Sequence, residues 1–204
     1  MIRILVTPMV AVAFVASPLT AQDHQRLLTA TEYSVAVPLG DTPAYGSGGS
    51  WTGAAYEARW MSHPHTSIGA LIGFNEFHRR ESGTFNFPSG AATGDQYRDL
   101  IVIPLLVTGA WYFNSNPDDP RWYIGGGGGL QYTDQFFQFG LDQRHERNWN
   151  AVIVPEIGLT FSAWYATGGI VSLRYHLPSE SSAFLGSSQR RFPYVSLSLG
   201  FGYR

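Results

Sequence analysis

The chain has no cysteine among its 204 residues, so disulfides hold none of it together and the small disulfide-stapled scaffolds are excluded. Charge is scarce as well, with only 14% of residues Asp, Glu, Lys or Arg and a net charge of -2, which leaves no basic face for nucleic acid or another polyanion. Beyond the first 21 residues no apolar run approaches the roughly 20 residues that a membrane-crossing helix needs. A membrane-integral form of this chain must therefore cross with strands. What is abundant is aromatic residues, at 15%, and glycine, 23 in all. The N-terminus itself, Met1-Ile2-Arg3 followed by apolar Ile4 to Val15 and then Ser17-Pro18-Leu19-Thr20-Ala21, reads as a secretory signal peptide covering 1-21. The remaining 22-204 is the length of one domain.

Near the C-terminus, Val195, Leu197, Leu199, Phe201 and Tyr203 alternate with Ser196, Ser198, Gly200 and Gly202. Such a strand has one apolar face and one small, polar face, and in a transmembrane barrel the apolar face turns out to lipid. The same alternation, bounded by turn residues, predicts eight strands, at 31–39, 51–60, 66–78, 96–113, 121–133, 149–161, 165–177 and 192–204. Their connections alternate between short (61–65, 114–120, 162–164) and long (40–50, 79–95, 134–148, 178–191). Tight periplasmic turns and long outer loops give outer-membrane barrels this rhythm, and an even strand count leaves both termini in the periplasm. The expected fold is all-β, an eight-stranded antiparallel up-and-down transmembrane β-barrel. Residues 100–107 are apolar on both faces and carry no phase, while Pro104 and Pro155 are expected to mark bulges.

Aromatic residues gather at the expected strand ends. Trp60, Trp111, Tyr112, Phe113, Trp122, Tyr123, Trp164, Tyr165 and Tyr203 fall at the short-turn end, and Phe74, Phe77, Tyr97, Tyr132, Trp149, Tyr175 and Tyr194 at the other. They are expected to form the two interfacial girdles. The stretch Ile103-Pro104-Leu105-Leu106-Val107-Thr108-Gly109-Ala110-Trp111-Tyr112-Phe113, a Pro/Asp turn, and Trp122-Tyr123-Ile124 followed by Gly125 to Gly129 resembles the central hairpin of the small outer-membrane protein β-barrel superfamily, the OmpA/OmpX-type barrels. The last strand resembles the C-terminal recognition signal of such proteins, with Arg204 following the terminal aromatic Tyr203. The resemblance implies an integral protein of the Gram-negative outer membrane, monomeric and surrounded by membrane lipids.

Inverting the apolar parity turns Glu57, Arg59, Glu156 and Arg174 inward, joined by Asn75, Gln131, Asn150 and His176. The four charges cancel, so a neutral network filling the lumen is expected. Glu57 and Arg59 lie about 7 Å apart along one strand. Placing a turn at 162–164 puts Ile170 opposite Glu156 and leaves Arg174 out of register with it. The Gly125–Gly129 run lacks the Lys-Ser/Thr of a phosphate loop and is flanked by strand, so no nucleotide or other cofactor is expected. His176, Ser179 and Glu180 are similar to the His-and-Ser region of the outer-membrane lipid A 3-O-deacylases. There the two residues sit one apart on a strand, whereas here Leu177-Pro178 intervene and break it, which weighs against catalysis. His63 and His65 lack a third ligand for a metal. Segments 79–95 and 134–148, with mixed charge and Phe136, Phe137 and Phe139 in the second, are the expected binding sites for a cell-surface or small-molecule ligand. The expected role is structural or surface-binding, with a lipid hydrolase or a narrow pore as the alternatives.

Overall fold

A computed structural model describes residues 27–39, 48–87, 90–116, 118–164, 167–180 and 191–203. The expected signal peptide and Arg204 lie outside the described residues. Eight strands, β1 (Leu27–Pro38), β2 (Ser50–His63), β3 (Thr66–Phe87), β4 (Gly90–Tyr112), β5 (Arg121–Phe139), β6 (Asp142–Trp164), β7 (Thr167–Pro178) and β8 (Tyr194–Tyr203), pair in sequence order and close on themselves through β1 and β8. All pairings are antiparallel. Closure leaves no free edge within the wall, which a sheet in hydrocarbon requires because nothing there can satisfy an open N–H or C=O.

The parity runs as the alternation demands. Val107, Ile153 and Phe201 are each about two-thirds exposed on the outer surface, whereas Glu57 and Arg59 on the inner surface are 1% exposed. In water this arrangement would leave two dozen large apolar side chains solvated and the charges desolvated; only a hydrocarbon surround makes it favourable. β4 takes its phase from the inside. Leu100, Val102 and Leu106 face inward, where they help fill the lumen, and Leu105, Val107 and Trp111 face lipid. Both faces are apolar because both are buried, one in protein and one in membrane.

The prolines do not make bulges. The β4–β5 ladder runs through Pro104 and the β5–β6 ladder through Pro155 without a register shift. Each proline instead interrupts pairing on its other side, at 73–74 on β3 and at 175–176 on β7, and pairing resumes in the same register. A missing N–H removes a ladder bond on one side of a strand only.

The connections depart most from expectation. The segment 79–95 is not a loop, because β3 and β4 stay paired up to Phe87↔Gly90. Nor is 134–148, where β5 and β6 stay paired up to Phe139↔Asp142 around a turn in which Gly140 has φ +58°. Pairing of β3 with β2 ends at Ala54↔Phe74, and that of β6 with β7 at Val152↔Pro178. Beyond those points β3, β4, β5 and β6 continue as a four-stranded ribbon, whose base still packs inward through Phe77, Leu100 and Val102 and whose outer part extends past the ends of β2 and β7. At the opposite end, β6 continues through 162–164 and its last residue, Trp164, pairs with Thr167, the first of β7.

The lumen network as candidate functional site

The lumen is organised by two arginines that face each other across three carboxylates. Arg59, on β2, donates from Nη2 to Glu57 Oε2 at 2.9 Å and to Glu156 Oε1 at 2.8 Å. Its Nε lies 2.8 Å from Glu57 Oε1, an ion contact without hydrogen-bond alignment. Arg174, on β7, makes a bidentate pair with Glu32, Nη1 to Oε2 at 2.6 Å and Nη2 to Oε1 at 3.0 Å. It also reaches Glu57 Oε2 at 2.9 Å and, from Nε, Glu156 Oε1 at 3.1 Å. Thr108 and Tyr123 donate hydroxyls to Glu57 and Glu156 at 3.2 and 2.8 Å. Charges this deeply buried cost several kcal/mol each unless paired and hydrogen-bonded, and these are both.

All four residues expected in the lumen, Glu57, Arg59, Glu156 and Arg174, are thus brought together. Glu156 and Arg174 are direct cross-strand partners, which corrects the expected misalignment; β6 runs on through 162–164, the register moves by four residues, and Arg174 replaces Ile170 opposite Glu156. Two charged members were missed. Glu32 is inward on β1, next to outward Tyr33, and Arg121 is inward at the start of β5, its guanidinium 4.7 Å from the Tyr112 ring centroid. Parity identifies both. With them the lumen holds, among the described residues, three buried carboxylates and three buried guanidiniums, whose charges balance.

Four residues assigned to the girdles belong instead to the lumen. Tyr112 and Tyr123 are fully buried at the short-turn end, their rings 5.3 Å apart, with Arg59 stacked 4.4 Å over Tyr123. Phe77 and Tyr194 are fully buried at the other end, where Phe77 meets Phe192 edge-on at 4.9 Å and Ala36, Leu100 and Val102 complete an apolar plug. Their parity is opposite to that of their outward neighbours Trp111, Trp122 and Val195, because a tyrosine or phenylalanine fills lumen space that a small residue would leave open. Trp60, Trp111, Phe113, Trp122 and Tyr203 do face out at one end, as do Trp149 and Tyr175 at the other. The side chain of Trp164, and Tyr165, lie outside the described residues.

Gly125, Gly127 and Gly129 face inward where β4 crosses closest. A Cβ on Gly129 would stand 2.0 Å from the Leu105 carbonyl oxygen, while one on outward Gly128 would meet nothing within 4 Å. The run is an approach point between strands, as its flanking strand residues suggest, and its space is occupied by neighbouring backbone.

His176 faces inward and stacks on Tyr194 with centroids 4.0 Å apart; its Nε2 lies 3.0 Å from Ser196 Oγ. Ser179 is exposed beyond Pro178 and its backbone N–H donates to the Ala151 carbonyl, while Glu180 pairs with Arg191 at 3.0 Å. The structure does not bring His176, Ser179 and Glu180 together, because Pro178 ends β7 between them. His65 Nδ1 contacts the Tyr112 carbonyl oxygen at 2.8 Å, bracing a turn. Among the described residues no group of three His, Asp or Glu side chains is placed to hold a metal ion.

No protein-family model and no curated protein matches this chain. Solved structures do. The attachment invasion locus protein Ail of Yersinia pestis, determined with the heparin analogue sucrose octasulfate, aligns over 87% of this chain and 96% of its own, at 13% identity and a TM-score of 0.50. Neisserial surface protein A aligns over 87% and 94% at 10% identity and a TM-score of 0.49, and the outer membrane protein W of E. coli over 88% and 97% at 15% and 0.45. At these identities the likeness is one of fold, and it agrees with the lipid-facing wall already described. This chain has the fold of a small eight-stranded outer-membrane barrel such as Ail.

Proposed function

We propose that the chain is a closed, monomeric barrel of the outer membrane, a structural or surface-binding protein whose contacts with partners are made by the ribbon of β3, β4, β5 and β6 outside the membrane. The observation that carries this reading is the contrast between the two ends of the same strands. Inside the wall, Phe77, Tyr112, Tyr123, Gln131 and Tyr194 are fully buried, which supports a lumen filled by side chains. Beyond the wall, the strands continue as a paired, solvent-facing platform cross-linked by Arg80–Asp95 at 3.0 Å, His78–Asp99 at 2.7 Å and His145–Asp134. Rigid display beyond a plugged anchor suits binding better than transport.

The chemistry of the ribbon argues for a partner of mixed or positive charge. Residues 76–99 and 134–147 carry five arginines against seven carboxylates, so a polysulfated ligand such as the one held by Ail would meet no positive excess here. The test of the closed lumen is planar-bilayer recording of the purified, refolded protein, which should show no discrete conductance steps. Reproducible steps would replace this reading with that of a narrow pore. The platform is tested by a variant lacking residues 82–95. It should keep heat-modifiable electrophoretic mobility, the mark of an intact barrel, while surface proteolysis of whole cells loses its cleavage products from that region.

A further inference from the structure

The barrel wall forks at its outer end between β7 and β8, and the fork opens toward lipid. Pairing of β7 with β8 stops at His176↔Tyr194. Past that point the end of β7 follows β6, through Val152↔Pro178 and the 2.7 Å bond from Ser179 N–H to the Ala151 carbonyl. The residues preceding β8 follow β1 instead, with Leu39 N–H donating to the Pro193 carbonyl at 3.0 Å. The two halves therefore diverge and leave a cleft of about 490 Å³ in the outer surface. Its sides are Ala151, Ile153, Tyr175 and Leu177, all outward-facing, and its upper rim carries Ser179 and the exposed Arg191. Phe192, buried inside, seals the fork from the lumen.

We infer that this cleft is a docking site for one lipid A molecule of the outer leaflet, with an acyl chain lying along β6 and β7 beside Pro193 and a glucosamine phosphate on the Arg191 guanidinium. Two observations fix the occupant. The cleft is continuous with the wall that meets hydrocarbon, so an acyl chain fills it without giving up any other contact. Among the described residues that line the cleft the charged one is Arg191, with Ser179 also on the rim, and a planar N–H fork is the side chain suited to phosphate oxygens. The end of the barrel that carries the ribbon faces outward, which places the rim in the leaflet built of phosphorylated glycolipid. Glu180, 3.0 Å from Arg191, is the carboxylate that the phosphate would share or displace. The inference rests on the outer-membrane reading but not on what the ribbon binds.

The experiment uses the full chain carrying a photo-reactive benzoylphenylalanine at Ala151 in the cleft or, as control, at Leu130 on a different part of the wall, in phosphatidylcholine nanodiscs doped with lipid A. Crosslinking to lipid A should exceed the Leu130 control at position 151 and fall by about fivefold in Arg191→Ala, the worth of one partly exposed charge contact. Discs doped with phosphatidylglycerol should give no such enrichment. Equal crosslinking at the two positions, or insensitivity to Arg191→Ala, would overturn the site, and equal enrichment with phosphatidylglycerol would overturn the choice of lipid A. Heat-modifiable mobility of each variant, checked first, separates these outcomes from loss of the barrel itself.

Discussion

Arg174 joins Glu32, Glu57 and Glu156, and replacing it isolates what the network contributes. In Arg174→Leu, Glu156 keeps Arg59 and Tyr123, and Glu57 keeps Arg59 and Thr108. Glu32 keeps nothing among the described residues, since both its oxygens are held by Arg174. The lumen then carries one uncompensated negative charge on a carboxylate that is 1% exposed. Removing one partner of a buried pair in this way costs about 3 to 5 kcal/mol. Replacing both partners with apolar groups removes the orphan charge, and methionine is adaptable enough to fill the space left by Glu32. The double variant Glu32→Met/Arg174→Leu should therefore recover at least about 2 kcal/mol of that loss. The assay is urea unfolding of the barrel in phospholipid vesicles, followed by tryptophan fluorescence and by heat-modifiable mobility so that two probes report the same transition. A single variant within about 1 kcal/mol of wild type, or a double variant no more stable than the single, would show that the network is not the electrostatic keystone argued for here.

Two further outcomes follow from the same structure. Gly129→Ala places a methyl group 2.0 Å from the Leu105 carbonyl oxygen and should lower the yield of heat-modifiable barrel sharply, whereas Gly128→Ala, one residue away on the outward face, should refold like wild type; equal behaviour of the two would contradict the assigned parity of β5. On the ribbon, hydrogen bonds from Ser82 and then Arg80 hold the Asp95 carboxyl below the usual aspartate range. Because that value is depressed in the folded hairpin, its contribution is present above the ordinary aspartate pKa and is lost as pH falls through the depressed one. Carboxyl titration by NMR should show Asp95 moving up in Ser82→Ala, and an unchanged value would place the cause elsewhere.

The sequence made the barrel legible where, and only where, the two faces of a strand meet different surroundings. β8 alternates cleanly because Leu197, Leu199 and Phe201 meet lipid while Ser196, Ser198 and Gly200 must leave room for Arg174 to reach over them to Glu32. β4 does not alternate between 100 and 107, since the plug built on Phe77 and Phe192 needs apolar side chains on the inner face as much as the membrane needs them on the outer. The outer halves of β3, β4, β5 and β6 were hidden for the opposite reason. At the outer part of the ribbon, where none of 79–84 is buried, polar residues such as Arg79, Arg80, Glu81 and Ser82 follow one another and the segment has the composition of a loop. Only its backbone pairing makes it a sheet.

The site shows the same division between what parity decides and what register decides. Parity alone sends Glu32, Arg121, Tyr112 and Tyr123 inward, and it outranks position along the strand, which had suggested interfacial roles for the two tyrosines. Register is harder to read, because it depends on where a turn begins. Ser162-Ala163-Trp164 has no residue that demands a turn, and β6 runs on through it until Trp164 pairs with Thr167. That small displacement exchanges Ile170 for Arg174 opposite Glu156, adding a second guanidinium to a carboxylate that Arg59 already holds. A buried charge is therefore itself evidence of register: of the two pairings, only the observed one sets a second cation directly opposite Glu156, in a lumen where an unpaired charge costs several kcal/mol.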